Sequence, residues 1–229
     1  VKTFLLFDID GTLLFSDAID SQCFADSYEA VFGRPFPSID WRQYPHVTDH
    51  VIFRTVFTAH FRRTATPAER QRFEDHYVAM LTHERTRRPT EFQEVPGAAD
   101  CWRQLHADER FVLGIATGGW REPAQVKLRH VGIDPIPHYA AYADGMEQRD
   151  HILQAAIDLA RTDHDISAVV YIGDAIWDVT TTRQMQLPLI GIRRGGDHEV
   201  LHREGVKVVL SDYRDLTTFY AAVAQVLAE

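Results

Sequence analysis

Phe7-Asp8-Ile9-Asp10-Gly11-Thr12-Leu13 closes the apolar run that begins at Phe4 and ends it in two carboxylates and a glycine. A continuous apolar run of this length suits a strand covered on both faces, as in a parallel sheet. Gly11 lets the backbone leave such a strand sharply. Two acids at the end of a buried strand need compensation, because unpaired buried charge is costly. A divalent cation is the simplest candidate.

Downstream of this stretch the pattern changes twice. From Asp17 to about Pro89 the apolar residues fall at helical spacing: Ile19, Cys23, Phe24 and Val31, then Val51, Ile52 and Val56, then Phe73, Tyr77, Met80 and Leu81. Gly33 stops the first of these helices, and Thr66-Pro67-Ala68-Glu69 has the composition of a capping box with a first-turn proline. No strand is predicted in this region. From Pro96 onward helices and strands alternate. Strands are predicted at Phe111 to Ala116, Tyr139 to Tyr142, Ala168 to Ile172, Leu189 to Ile192 and Val206 to Leu210.

Alternation of this kind implies a parallel α/β sheet, and ligands bind such sheets at the carboxyl ends of the strands. Asp8, Thr117 and Asp174 all stand at such ends. The expected organisation is a core of residues 1–15 and 91–229 with a helical insert over residues 16–90.

Composition narrows the class. With 229 residues and 45% hydrophobic content the chain can bury a sizeable core, and a net charge of −9 disfavours general affinity for nucleic acid or an anionic membrane. No apolar stretch approaches the ~20 residues of a membrane span. The two cysteines, Cys23 and Cys101, form no Cys-x-x-Cys pair, which fits a reducing compartment. The N-terminus enters a strand without a signal-like segment, so a cytoplasmic location is expected.

Three motifs carry chemistry: Asp8-x-Asp10-Gly11-Thr12-Leu13, Thr117-Gly118, and Gly173-Asp174-x-x-x-Asp178. In this order, each at a strand end, they resemble the first, second and fourth motifs of the haloacid dehalogenase superfamily. The resemblance covers essentially the whole chain, the helical insert included. It implies a Rossmann-like doubly wound core with an all-helical cap domain. It also implies a phosphatase, because members that cleave carbon–halogen bonds lack an acid at the position of Asp10. Asp8 would be the nucleophile and Asp10 the acid/base. Mg²⁺ would be held by the Asp8 carboxylate, the Asp10 carbonyl and the Asp174 carboxylate, with Asp178 holding or supplementing that shell. Thr117 and Gly118, opening a helix, would bind the phosphoryl oxygens. Many relatives carry asparagine where this chain has Gly119.

The family also requires a lysine or arginine between the second and fourth motifs. Arg149 is the first choice, since a guanidinium can hold carboxylate and phosphate together. Lys127 is the rival, although its mid-helix position suggests exposure. Trp120 either packs or lines the pocket mouth. Thr48 and Asp49 either face the substrate or simply start a helix. Arg54, Arg62, Arg63, Arg85, Arg87 and Arg88 could meet an acidic leaving group or merely solvate a helix face. The twelve histidines show no metal-ligand spacing. The expected partner is a small phosphorylated metabolite, phosphoglycolate-like or a sugar phosphate. A phosphomutase and a non-catalytic regulator on the same fold are the alternatives.

Overall fold

The computed structural model describes residues 1–228. Its centre is β1 (Lys2–Phe7), in which Phe4, Leu5, Leu6 and Phe7 are completely buried. Five further strands join it in parallel: β4 (Phe111–Ala116), β5 (Ala140–Ala141), β6 (Ile166–Gly173), β7 (Leu189–Ile192) and β8 (Val209–Leu210). The strand order is β5-β4-β1-β6-β7-β8. From β1 the chain passes to β4 and β5 on one side, then returns to build β6, β7 and β8 on the other. The order therefore reverses at β1, where such sheets open a crevice beyond the strand ends.

Helices α4 (Ala98–His106), α5 (Arg121–His130), α6 (Arg149–Asp163), α7 (Ile176–Met185), α8 (Glu199–Arg203) and α9 (Leu216–Leu227) connect and flank the strands. The Phe7 ring lies edge-on to Trp102 of α4 at 5.3 Å and stacks with Phe219 of α9 at 6.3 Å. These rings cover one face of the central strand.

Between β1 and β4 the chain builds a separate helical layer: α1 (Asp17–Phe32), α2 (Asp49–Phe61) and α3 (Pro67–Arg87). Short 3₁₀ turns lie at Trp41–Gln43 and Pro89–Glu91. Gly33 ends α1 at φ 65°, and the Thr66–Glu69 capping box starts α3. The three helices meet through rings, with Phe73 against Phe24 at 4.9 Å and against Phe53 at 5.0 Å. Trp120, from the loop after β4, is fully buried against the same rings. It packs between the layers and does not line a pocket mouth.

The two ends of the insert are joined by a ribbon that the sequence does not announce. β2 (Leu14–Phe15) pairs antiparallel with β3 (Gln93–Glu94), and Val95 N–H donates to the Leu13 carbonyl at 2.9 Å. Two-residue strands are too short to show a period of two. The outer strands are also shorter than predicted, β5 covering Ala140–Ala141 and β8 covering Val209–Leu210. No described helix is long and apolar enough to cross a membrane.

Gly11 is where the strand exit is forced. It has φ +72°, and a Cβ there would overlap the Asp174 carboxylate. Gly11→Ala should therefore destabilise the protein by at least about 1–2 kcal/mol from the backbone alone. Denaturant unfolding measures this, and an unchanged midpoint would contradict the reading.

Candidate active site

The ends of β1, β4 and β6 bring together residues far apart in sequence. Asp8 is 4% exposed, and its amide donates to the Ile172 carbonyl of β6 at 2.9 Å. Its Oδ1 accepts from the Ile9 amide at 2.8 Å and its Oδ2 from Arg149 Nη2 at 2.8 Å. The same Nη2 donates to Asp178 Oδ1 at 2.8 Å and to the Tyr171 hydroxyl at 3.2 Å. Arg149 is the first residue of α6 and is itself buried. Its Nε is buried with no hydrogen-bond partner, which leaves a cationic donor available for an anion in the site.

Asp178 is the third residue of α7, and both of its oxygens are engaged. Oδ1 accepts from Arg149 and from Tyr171 at 3.3 Å, and Oδ2 accepts from the Asp174 and Ala175 amides at 3.1 and 3.0 Å. It orients both Arg149 and the start of α7. Asp174 stands beside it, 3.6 Å from Arg193 Nη1. Arg193 belongs to no motif in the sequence; only the pairing of β7 with β6 brings it here.

Asp8, Asp174 and Asp178 present carboxylate oxygens within 4.8 Å of one another. Burial, partly offset by Arg149 and reinforced by Asp178 and Asp10, pushes the Asp8 carboxyl up to about 7. Burial, then Asp178, Asp17 and Asp8, raises Asp174 well above the ordinary range, while Arg193 opposes this. Three acids sharing so little positive charge fit a hard divalent cation, which takes oxygen ligands. Asp8 and Asp174 have the freer oxygens. The Asp10 carboxylate is not in this group. Its Oδ2 accepts from Lys127 Nζ at 2.8 Å and its Oδ1 from Ser16 Oγ at 3.1 Å.

Lys127 corrects an expectation. It is 3% exposed, and besides Asp10 it meets Asp20 Oδ1 at 2.9 Å. The reading of an exposed mid-helix lysine fails because Asp10, just after β1, and Asp20, on α1, pack against it and pair with its ammonium. Arg149 and Lys127 consequently serve different acids, Asp8 with Asp178 and Asp10 with Asp20 respectively.

Thr117 is buried at the end of β4, and its Oγ1 accepts from the Gly119 amide at 3.2 Å, which leaves the hydroxyl proton free to donate. A Cβ on Gly118 would sit 2.5 Å from Arg149 Nη1 and 2.6 Å from the Val47 carbonyl, so only glycine fits between them. Thr117 and Gly118 do not open a helix, since α5 starts at Arg121. The loop before it is held extended by the insert. Asp49 N–H donates to the Gly118 carbonyl at 2.8 Å, and Trp120 N–H donates to Asp49 Oδ2 at 2.9 Å. Thr48 caps α2 through the Val51 amide and also donates to the Glu147 carbonyl at 3.2 Å. These two residues dock the insert on the core.

The insert's arginines are largely committed within the protein. Arg54 forks onto Glu147, Arg63 pairs with Glu69, Arg70 with Glu74 and Arg88 with Glu84. Asp17 and Asp20 at the start of α1 face the site without any motif to mark them.

Asp49 supplies a pH prediction. Burial, opposed by Lys127 and reinforced by Asp20, raises its carboxyl from 3.8 to about 7. The folded state then holds this proton more tightly than the unfolded chain, so the stability tied to it is lost as pH rises from about 4 to about 7. Asp49→Asn keeps an acceptor for Trp120 but cannot titrate. The melting temperature of the variant, minus that of the parent, should grow from about pH 4 to about pH 7 and then level off. A constant difference would contradict the shift.

Known proteins share this architecture. The family model described as haloacid dehalogenase-like hydrolase matches residues 5–192. A hydrolase from Pseudomonas syringae superposes with a TM-score of 0.69 at 22% identity, covering 97% of this chain and 99% of that one. A protein described as a candidate β-phosphoglucomutase from Bacteroides vulgatus gives 0.69 at 16% identity, covering 100% and 91%. CbbY from Rhodobacter sphaeroides, solved with phosphate, gives 0.62 at 18% identity, covering 94% and 96%. Among curated proteins none matches. The likeness to the solved structures establishes the fold, and the match over residues 5–192 establishes that this chain belongs to the haloacid dehalogenase-like hydrolase family.

Proposed function

We propose that the chain is a Mg²⁺-dependent phosphatase that hydrolyses a small phosphate monoester through an aspartyl-phosphate on Asp8. The observation that carries this reading is the Asp8–Arg149–Asp178 arrangement with Asp174 alongside. It joins a nucleophilic carboxylate, a guanidinium with a free buried donor and an acidic cluster fit for a cation.

The difficulty in the reaction is charge. An anionic Asp8 must approach an anionic phosphoryl group, and two unit charges ~4 Å apart repel by roughly 4 kcal/mol at an effective dielectric near 20. The carboxylates of Asp8 and Asp174, with the carbonyl of Asp10, would hold Mg²⁺, which would supply neutralisation of this repulsion. Arg149 adds a second positive charge beside Asp8, and its buried Nε has no partner within the protein. Thr117 Oγ and the Gly118 amide orient the remaining oxygens.

Asp8 attacks phosphorus, the bond to the leaving oxygen breaks, and Asp10 gives that oxygen its proton. Asp10, now a carboxylate, takes a proton from water as the water attacks phosphorus. The Asp8–phosphorus bond then breaks, and inorganic phosphate and free Asp8 are regenerated. The helical insert acts as a cap, and its docking through Asp49 and Thr48 on the phosphate-binding loop supports a role in excluding water. The substrate is a small phosphorylated metabolite, such as a sugar phosphate or a phosphoglycolate-like ester.

A panel of phosphate monoesters that includes para-nitrophenyl phosphate, assayed with Mg²⁺, tests the proposal. Release of inorganic phosphate is expected, and Asp8→Asn should lower kcat by at least about 10³-fold. Isomerisation of a sugar phosphate with little phosphate release would make the chain a phosphomutase. Folded, Mg²⁺-supplied protein that turns over nothing would overturn the enzyme reading.

A further inference from the structure

Lys127 is the buried charged side chain of α5, a helix whose other charged residues, Arg121, Glu122 and Arg129, are exposed. Taking an ammonium group out of water is costly unless it is paired and hydrogen-bonded. Here it has two carboxylates, Asp10 Oδ2 at 2.8 Å and Asp20 Oδ1 at 2.9 Å. Burial alone would lower the Lys127 pKa, but Asp10 and Asp20 outweigh it and keep the side chain charged. Asp20 lies on α1, and its Oδ1 also accepts from the Tyr77 hydroxyl of α3 at 2.6 Å. Asp10 is gripped at both oxygens, by Lys127 and by Ser16 at the start of α1.

This clamp is distinct from the one at Asp8. Arg149 contacts Asp8, Asp178 and Tyr171, whereas Lys127 contacts Asp10 and Asp20. A single lysine thus links a core carboxylate at the site to two helices of the insert.

We propose that Lys127 is a positioning residue, which aims the Asp10 carboxylate at the leaving oxygen and, through Asp20 and Tyr77, makes that aim depend on the docked position of α1 and α3. The proposal rests on the reading of Asp10 as the acid/base. A proton donor counts only when it lies within hydrogen-bond reach of the oxygen it protonates. An unheld Asp10 would leave Asp8 and the phosphate contacts in place but supply its proton poorly. The loss should therefore depend on how much the leaving group needs a proton, which a general weakening of the fold would not produce.

The test compares Lys127→Met with the parent, in the presence of Mg²⁺, on two substrates. Para-nitrophenyl phosphate releases a phenolate that leaves without protonation, and 2-glycerophosphate releases an alkoxide that requires it. In Lys127→Met the kcat/KM for 2-glycerophosphate should fall about 10²-fold, and at least about tenfold more than that for para-nitrophenyl phosphate. Asp10→Asn should show the same asymmetry. The double variant Lys127→Met with Asp20→Asn removes one of the two acids stranded by the single change, which guards against misfolding, and should also show it. Circular dichroism and thermal melting confirm that each variant is folded. An equal loss on both substrates in the folded single or double variant, or no loss, would overturn the proposal and leave Lys127 a structural ion pair. If Asp10→Asn also lacks the asymmetry, the acid/base reading of Asp10 falls and this proposal falls with it. If Asp10→Asn keeps the asymmetry, only the role of Lys127 is lost.

Discussion

The site depends on one buried guanidinium. Arg149 Nη2 lies 2.8 Å from both Asp8 and Asp178, in surroundings nearly closed to solvent. Breaking such a buried pair by removing one partner costs about 3–5 kcal/mol, because the remaining charge is left uncompensated. Arg149 cannot lose its proton to relieve the strain, whereas a lysine could. The surrounding pieces follow from this fixed charge. Asp178 uses one oxygen to hold it and the other to bind the first amides of α7, and Gly118 must be glycine to let it pass. The guanidinium still does not balance the acids around it. That imbalance, visible in the raised Asp8 and Asp174, is what a cation and a phosphoryl group would resolve together.

The helical insert is joined to the core at the same place where the chemistry is arranged. Its α2 start bonds the Gly118 carbonyl and the Trp120 amide, and its α1 start faces Asp10 and Lys127. Trp120 is wedged among insert rings although it belongs to the core loop. Any movement of the insert must therefore disturb the loop that carries Thr117 and Gly118, and also the pair that holds Asp10. If the insert excludes water and Asp10 is the acid/base, as proposed, these contacts tie the two to one movement.

The sequence was most legible where structure is local. The run Phe4 to Phe7 forms the buried central strand, and Gly11 turns the chain with a positive φ. The alternation after Pro96 predicted the sheet, and the Thr66–Glu69 capping box formed as its residue types require. Motif residues at strand ends meet because a parallel sheet aligns those ends. What could not be read were partnerships set by tertiary packing. Lys127 and Asp10 are 117 residues apart, and nothing in Val126-Lys127-Leu128 tells which side of α5 faces a pair of acids. Asp20 and Arg193 carry no motif. Thr117 and Gly118 read as opening a helix, but α5 starts at Arg121, because two glycines are poor helix formers and Asp49 claims the Trp120 amide. The β2–β3 ribbon is too short to leave a periodic trace.

The central claim is that Asp8 becomes covalently phosphorylated during turnover. Mixing the Mg²⁺-supplied protein with a monoester it hydrolyses, quenching in acid within milliseconds, and mapping the phosphoryl group by proteolysis and mass spectrometry addresses it directly. A transient acyl phosphate is expected on the peptide carrying Asp8, decaying once the ester is exhausted and missing from Asp8→Asn. Turnover with the phosphoryl group on another residue, or with no phosphorylated enzyme at any quench time while the ester is consumed at the parent rate by Asp8→Asn, would contradict it.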